Sequence, residues 1–246
     1  MCLPLNMHRS ILLFAICFLL AIVAKAQTKV YLVPVLHGLH KSNYFYPYDS
    51  VKAVVARTNA DVVAVEIRPE DVSQDSNYLK SNYPFEMWMM RHWFAQKTIE
   101  GFDWLGADIV GKPIPANYWQ QGSAIKKLQA RLNSDSTYNT QLKSCQLYAD
   151  ERMKVLSTQS LKAILASNDA ILTKEYYNCL EQRLRGSDYE ELTQFYTHRN
   201  QQMMARLNGL LEKHKGKTIT VVTGADHYPY LLEHFKKSGV QLMKLY

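Results

Sequence analysis

The chain predicts an α/β fold, a central mixed, largely parallel sheet flanked by helices, from three of its segments. Residues 28–36 and 61–67 are almost wholly apolar and do not alternate, the pattern of strands covered on both faces. Between them Val51, Val54 and Val55 mark a short helix that Asp49 or Ser50 can cap. Together these make a βαβ unit, for which parallel pairing and a right-handed crossover follow. Near the other end, a strand over 218–223 leads through Gly224-Ala225-Asp226-His227 into a helix over 228–237 and a last strand over 240–245.

Ahead of the first strand, Arg9 precedes an uncharged apolar run, 11–24, that ends in Ala24-Lys25-Ala26. This order is that of a cleaved secretory signal. The run is shorter than the ~20 residues of a comfortable membrane span. The expectation is therefore an exported chain, periplasmic or secreted, starting near Gln27 and without a stable membrane anchor after cleavage. The organisation expected is a signal peptide at 1–26 and one α/β domain at 27–246, in which about 72–186 form a mostly helical insertion. Loss of Arg9 and Lys25 lowers the formal charge from +7 to +5. The remaining lysines and arginines are scattered, which argues against a nucleic-acid partner. Cys145 and Cys179 are then the remaining cysteines, both in helical segments, and an oxidising compartment allows them to pair.

The middle of the chain is less regular. Residues 85–94 read as a helix that is apolar nearly all round, the habit of core. Residues 105–110 read as a short strand ended by Gly111-Lys112-Pro113, and 124–186 as helices. Ser187-Asp188-Tyr189-Glu190 has the form of a capping box. It opens a helix to about residue 214, whose buried stripe is Leu192, Phe195, Arg199, Met203, Leu207 and Leu210. A guanidinium on that stripe needs a carboxylate or bound anion, unless it snorkels at the helix edge.

Three apolar strands end in His37, Glu66 and His227. Open α/β sheets bind ligands at the carboxyl ends of their strands. His227 sits where a helix begins, and the positive end of that helix disfavours a protonated imidazole. A neutral imidazole is what a metal ligand or general base must be. Two histidines and a glutamate make a divalent-metal set with positions left for water. Taken singly, each histidine is more often a hydrogen-bonded structural residue. His40 shares the loop of His37 and is a further candidate; His92, His214 and His234 read as helix-surface residues, and His198 lies beside the buried stripe.

The combination of Val35-Leu36-His37, Asn59-Ala60-Asp61-Val62-Val63-Ala64-Val65-Glu66, Arg199-Asn200 and Val221-Val222-Thr223-Gly224-Ala225-Asp226-His227 resembles the TraB/GumN/TIKI group. That group belongs to the larger set with erythromycin-esterase-like and ChaN-like proteins. The resemblance spans nearly the whole mature chain, although the middle carries no motif of the group. It implies a metal-dependent hydrolase or peptidase acting on peptide or amide bonds. His37, Glu66 and His227 would hold zinc, manganese or cobalt, with Glu66, Arg199 and His227 as catalytic groups. Some members bind signalling peptides or proteins, so a non-catalytic binding protein for a peptide or small ligand is the second reading. A heme or metal carrier is the third. Pro34 stands where the group usually has glycine, so a different backbone is expected before His37.

Overall fold

The computed structural model describes residues 27–246; the expected signal segment, 1–26, lies outside them. Five strands, β1 (Lys29–Val35), β2 (Val62–Val65), β3 (Thr98–Gly101), β4 (Thr218–Gly224) and β5 (Gln241–Met243), form one sheet in the order β3-β2-β4-β1-β5. Every pairing is parallel, so the sheet is less mixed than the sequence suggested. β4 enters between β1 and β2, which joins strands nearly two hundred residues apart.

Ten α-helices are described: α1 (Tyr48–Arg57), α2 (Ser76–Asn82), α3 (Phe85–Trp93), α4 (Ala124–Ser134), α5 (Ser136–Gln141), α6 (Lys143–Thr158), α7 (Leu161–Ala166), α8 (Asp169–Leu184), α9 (Glu190–Lys213) and α10 (Tyr228–Lys237). The strand period of two separates two cores. Val33, Val35, Val63 and Val65 pack with α1 and with Met87 and Met90 of α3. Val30, Leu32, Ala64 and Val221 point the other way, onto Met203 and Leu207 of α9 and Phe235 of α10. Each such side chain stabilises the fold by roughly 1.5–3 kcal/mol when fully buried. A sheet coated on both faces leaves its strand ends as the place for a crevice.

The expected strand at 105–110 is instead a loop with a 3-10 turn at Ala107–Ile109; the strand of this region is β3, inside the stretch read as a helical insertion. Two features explain the displacement. Gly101 ends β3 so close to β2's extension that a Cβ there would meet the Ile67 carbonyl at 2.5 Å. The buried Arg68 guanidinium then donates to Asp71 at 2.7 Å, to the Ile109 carbonyl at 2.5 Å and to the Lys112 carbonyl at 2.9 Å. The loop's carbonyls are thus satisfied by a side chain and not by a ladder.

Helix starts also differ slightly. α1 begins at Tyr48 after Pro47 with no side-chain cap, and Asp49 falls in its first turn. Before α9, Ser187 accepts from the Tyr189 amide, and the Glu190 carboxylate reaches back to the Gly186 amide. The capping bonds therefore close the turn just ahead of the helix, with Glu190 reaching back from its first residue.

Pro34 is accommodated by register. Odd residues of β1 bond towards β4, as Lys29 and Val35 do, and even ones towards β5, as Thr28 does. β5 stops at Met243 opposite Tyr31, so the N–H that Pro34 lacks has no strand to meet. Its carbonyl accepts from the buried Tyr46 hydroxyl at 2.9 Å.

Cys145 of α6 and Cys179 of α8 form a disulfide that closes a separation of 34 residues. Cross-linking a loop of that length stabilises by about 4 kcal/mol in the chain-entropy account. Replacing both cysteines by alanine is expected to lower the unfolding free energy by that order, read from urea denaturation monitored by circular dichroism.

Candidate functional site at the carboxyl edge of the sheet

Strand register brings the ends of β1, β2 and β4 together. Val35 lies opposite Gly224, and Val65 opposite Val222, so the residues that follow β1 and β2 flank the end of β4. Glu66 is 4% exposed. Its Oε2 accepts from Thr223 Oγ1 at 2.9 Å and from the Gly224 amide at 2.7 Å, and its Oε1 from Arg199 Nη2 at 3.0 Å. Burial opposes its ionisation, but His227, Arg199, His37 and the Gly224 N–H together hold the carboxyl well below the usual range.

His227 caps α10 and lies beside the same carboxylate, with Nε2 3.5 Å from Glu66 Oε1. Its Nδ1 donates to Asn200 Oδ1 at 2.7 Å, which leaves Nε2 without a proton. Burial pushes its pKa down to about 4 against the pull of Glu66. The imidazole is therefore neutral, and its lone pair opposes that of Glu66 Oε1, an arrangement a cation between them relieves.

His37 adopts φ +51°, in the left-handed region where a non-glycine residue is strained. The following loop holds it there. Tyr48 donates to the His37 carbonyl at 3.1 Å. His40 accepts from the Leu36 amide at 2.8 Å and donates to the Tyr46 carbonyl at 2.6 Å. Both His40 nitrogens are thereby used, so this candidate is a structural brace. The His37 ring turns over Gly224 so closely that a Cβ at Gly224 would meet Nε2 at 2.6 Å and Glu66 Oε2 at 3.6 Å. Behind it, Nδ1 donates to Oε1 of the fully buried Glu86 at 2.7 Å. Burial lowers the His37 pKa, but the Glu86 bond and the charges of Glu66 and Glu86 outweigh it, and the net direction is up. A buried carboxylate whose ion-pair partner is one imidazole calls for positive charge on that ring, as imidazolium or with a cation on Nε2.

Arg199 meets the sequence expectation of a carboxylate partner, twice over. Its Nε and Nη2 donate to Asp103 Oδ1 and Oδ2 at 2.9 and 3.0 Å, and Nη2 also serves Glu66. Nη1 makes no hydrogen bond among the described residues, and Arg199 lines a cleft of about 710 Å³. The cleft holds His37, Glu66, Asp103, Arg199 and His227 on its floor, with Leu39, Tyr83, Pro84, Leu105, Trp119 and Phe195 among its walls.

His37, Glu66, Arg199 and His227 are thus brought together, while His92, His198, His214 and His234 pair elsewhere, with Ser76, Gln202, Glu100 and Asn208. Sequence reasoning missed Glu86 and Asp103. Glu86 carried a signal, as the one acidic residue of a largely apolar helix. Asp103 follows β3 by two residues and was hidden by the misplaced strand.

The donor set fits a divalent cation in one respect and constrains it in another. Both histidines have Nδ1 fixed by an acceptor and Nε2 free, the arrangement that orients metal ligands. Glu66, with three of about four acceptor positions taken, offers a single lone pair on Oε1. Among the described residues no three His, Cys, Asp or Glu side chains converge as a ready-made cage.

Gly224→Ala is expected to displace the His37 ring while leaving the fold intact, at a cost of about 1–3 kcal/mol. Imidazole nitrogen NMR checks it: His37 resonances move and those of His40 do not. A second expectation concerns pH. His227 is depressed from the ordinary 6.5 to about 4, so its contribution to stability is lost as pH falls through that window. His37, raised, contributes below 6.5 and loses its share as pH rises through its folded value. Melting temperatures in chelator should therefore fall from pH 6.5 to 4, and His227→Gln should flatten that limb.

Comparison with known protein families, curated proteins and solved structures finds no match for this chain.

Proposed function

We propose that the chain is an exported metal-dependent hydrolase of peptide or amide bonds, working at the floor of this cleft. The observation that carries the reading is the pair of imidazoles, each bonded through Nδ1 to Glu86 or Asn200, that border one cleft together with the buried Glu66 carboxylate. The resemblance to the TraB/GumN/TIKI group supports the same four residues, and the Cys145–Cys179 bridge supports an oxidising compartment.

His37 and His227 would hold the cation through Nε2, joined by the remaining lone pair of Glu66 Oε1. Zinc, manganese or cobalt held there would supply Lewis-acid polarisation of a carbonyl. Arg199, which lines the cleft and keeps Nη1 free of hydrogen bonds among the described residues, would donate to the oxyanion that develops on that carbonyl. Asp103 keeps the guanidinium in plane for this task. Glu86 and Asn200 hold the tautomers of the two histidines, and the apolar walls exclude water.

The purified mature chain is expected to carry about one divalent ion, measured by inductively coupled plasma mass spectrometry, and to cleave capped peptides in a chelator-sensitive way. His227→Ala should lose both properties. Arg199→Lys should keep the metal and lose about 10²–10³ in kcat, the usual cost of an oxyanion donor. If no divalent ion copurifies or rebinds and His227→Ala still binds peptide, the cleft belongs to a binding protein. A red preparation with a Soret band would point to a heme carrier instead.

A further inference from the structure

A second cavity, of about 430 Å³, lies beside the catalytic cleft in the helical layer. The two are adjacent: Ile125, Gln129 and Phe195 line both. On α4, Ile125, Gln129, Leu132 and Asn133 follow one another at helical spacing from the cleft into the second cavity. On α9, Arg199 faces the cleft, Phe195 faces both spaces, and Leu192 and Tyr196 face the second. Leu192 and Phe195 are only half-buried; Leu192 packs on the small core of Leu132, Leu184 and Tyr189, and the main core under α9 begins at Met203.

The dimensions suit an extended chain. Ile125 to Asn133 covers about 12 Å of helix. An extended peptide rises about 3.3 Å per residue, so this rail runs beside roughly four residues. The volume falls within the roughly 300–1,000 Å³ of ligand sites. Its chemistry is two-sided. Leu180, Leu192 and the stacked Tyr177–Tyr196 pair, with ring centroids 3.5 Å apart, give apolar walls. Gln129 Nε2 donates to Asn133 Oδ1 at 2.8 Å. That bond leaves Gln129 Oε1 as an acceptor and Asn133 Nδ2 as a donor, the complement of one peptide group's N–H and C=O. Two features make the cavity preformed: Cys145, which lines it, is tied to α8 by the disulfide, and Tyr196 is held by its hydroxyl on the Asp226 carbonyl at 2.5 Å. Tyr196 also stacks on His227, with centroids 5.5 Å apart, so one wall of the cavity is shared with the catalytic floor.

We propose that this second cavity is a recognition chamber for a bulky apolar side chain of an extended peptide, a few residues from the bond presented to His37 and His227. The peptide class of the occupant rests on the hydrolase reading; the chamber itself rests on its lining and on the residues it shares with the cleft.

The test uses fluorescein-labelled capped hexapeptides in which one phenylalanine is moved through an alanine background, with a capped phenylalanine dipeptide as the short probe. Binding to the full mature chain is read by fluorescence polarisation, and cleavage by mass spectrometry. One position of the phenylalanine should bind at least tenfold tighter than all-alanine hexapeptide. Leu192→Trp, which fills the chamber from its wall, should erase that preference and leave the dipeptide unaffected; Leu180→Phe serves as an independent filling variant if the first does not fold. A hexapeptide preference that is absent, or that survives a folded filling variant, overturns the chamber. Position-dependent binding that the filling variant abolishes, without any cleavage, keeps the chamber and overturns the hydrolase reading alone.

Discussion

A carboxylate placed at the buried end of a parallel strand is the constraint from which the rest of the site follows. Glu66 leaves β2 with almost no access to water, where an unpaired charge is too costly to keep. Three neighbours resolve the problem. Thr223 and Gly224 belong to the adjacent strand and come with the register, whereas Arg199 must be carried in on α9. Arg199 in turn needs Asp103, which only the loop after β3 can deliver. One buried charge thus ties together three strands, a long helix and an irregular loop, and the same groups that neutralise it form the floor of the cleft.

The other half of the site depends on a strained backbone. His37 could not turn over Gly224 from an ordinary β conformation, and its left-handed φ is maintained by bonds from the loop behind it. Tyr46, Tyr48 and His40 supply those bonds, so the polar, tyrosine-rich stretch after β1 is a scaffold for one imidazole. Gly224 serves both histidines: its missing Cβ admits the ring of His37, and its amide fixes the carboxylate that His227 approaches.

The helical layer has a different logic from the sheet. Its walls are half-buried tyrosines, leucines and exposed amides around open space, held by a disulfide and by the Arg152 pairs to Asp169 and Asp226. Such a layer suits a surface that receives a ligand, since tight packing would leave nothing for the ligand to fill. Its coupling to the sheet runs through Tyr196, which touches His227 on one face and Tyr177 on the other.

Much of this was legible from the chain itself, because strand period, βαβ order and strand-terminal residues are local properties. The apolar runs ending in His37, Glu66 and His227, the helix at 228–237 and the need of Arg199 for an acidic partner all follow from residue type and spacing. Contacts between distant segments were not legible. That β4 inserts between β1 and β2, that Glu86 stands behind His37, and that Asp103 clamps Arg199 are decided by packing among residues tens to hundreds of positions apart. The same holds for His40, whose sequence neighbourhood made it a ligand candidate until the folded loop engaged both of its nitrogens. Sequence determined which groups would carry charge at the sheet edge; tertiary structure decided which of them face one another, because burial leaves each charge only the partners that packing brings within hydrogen-bond reach.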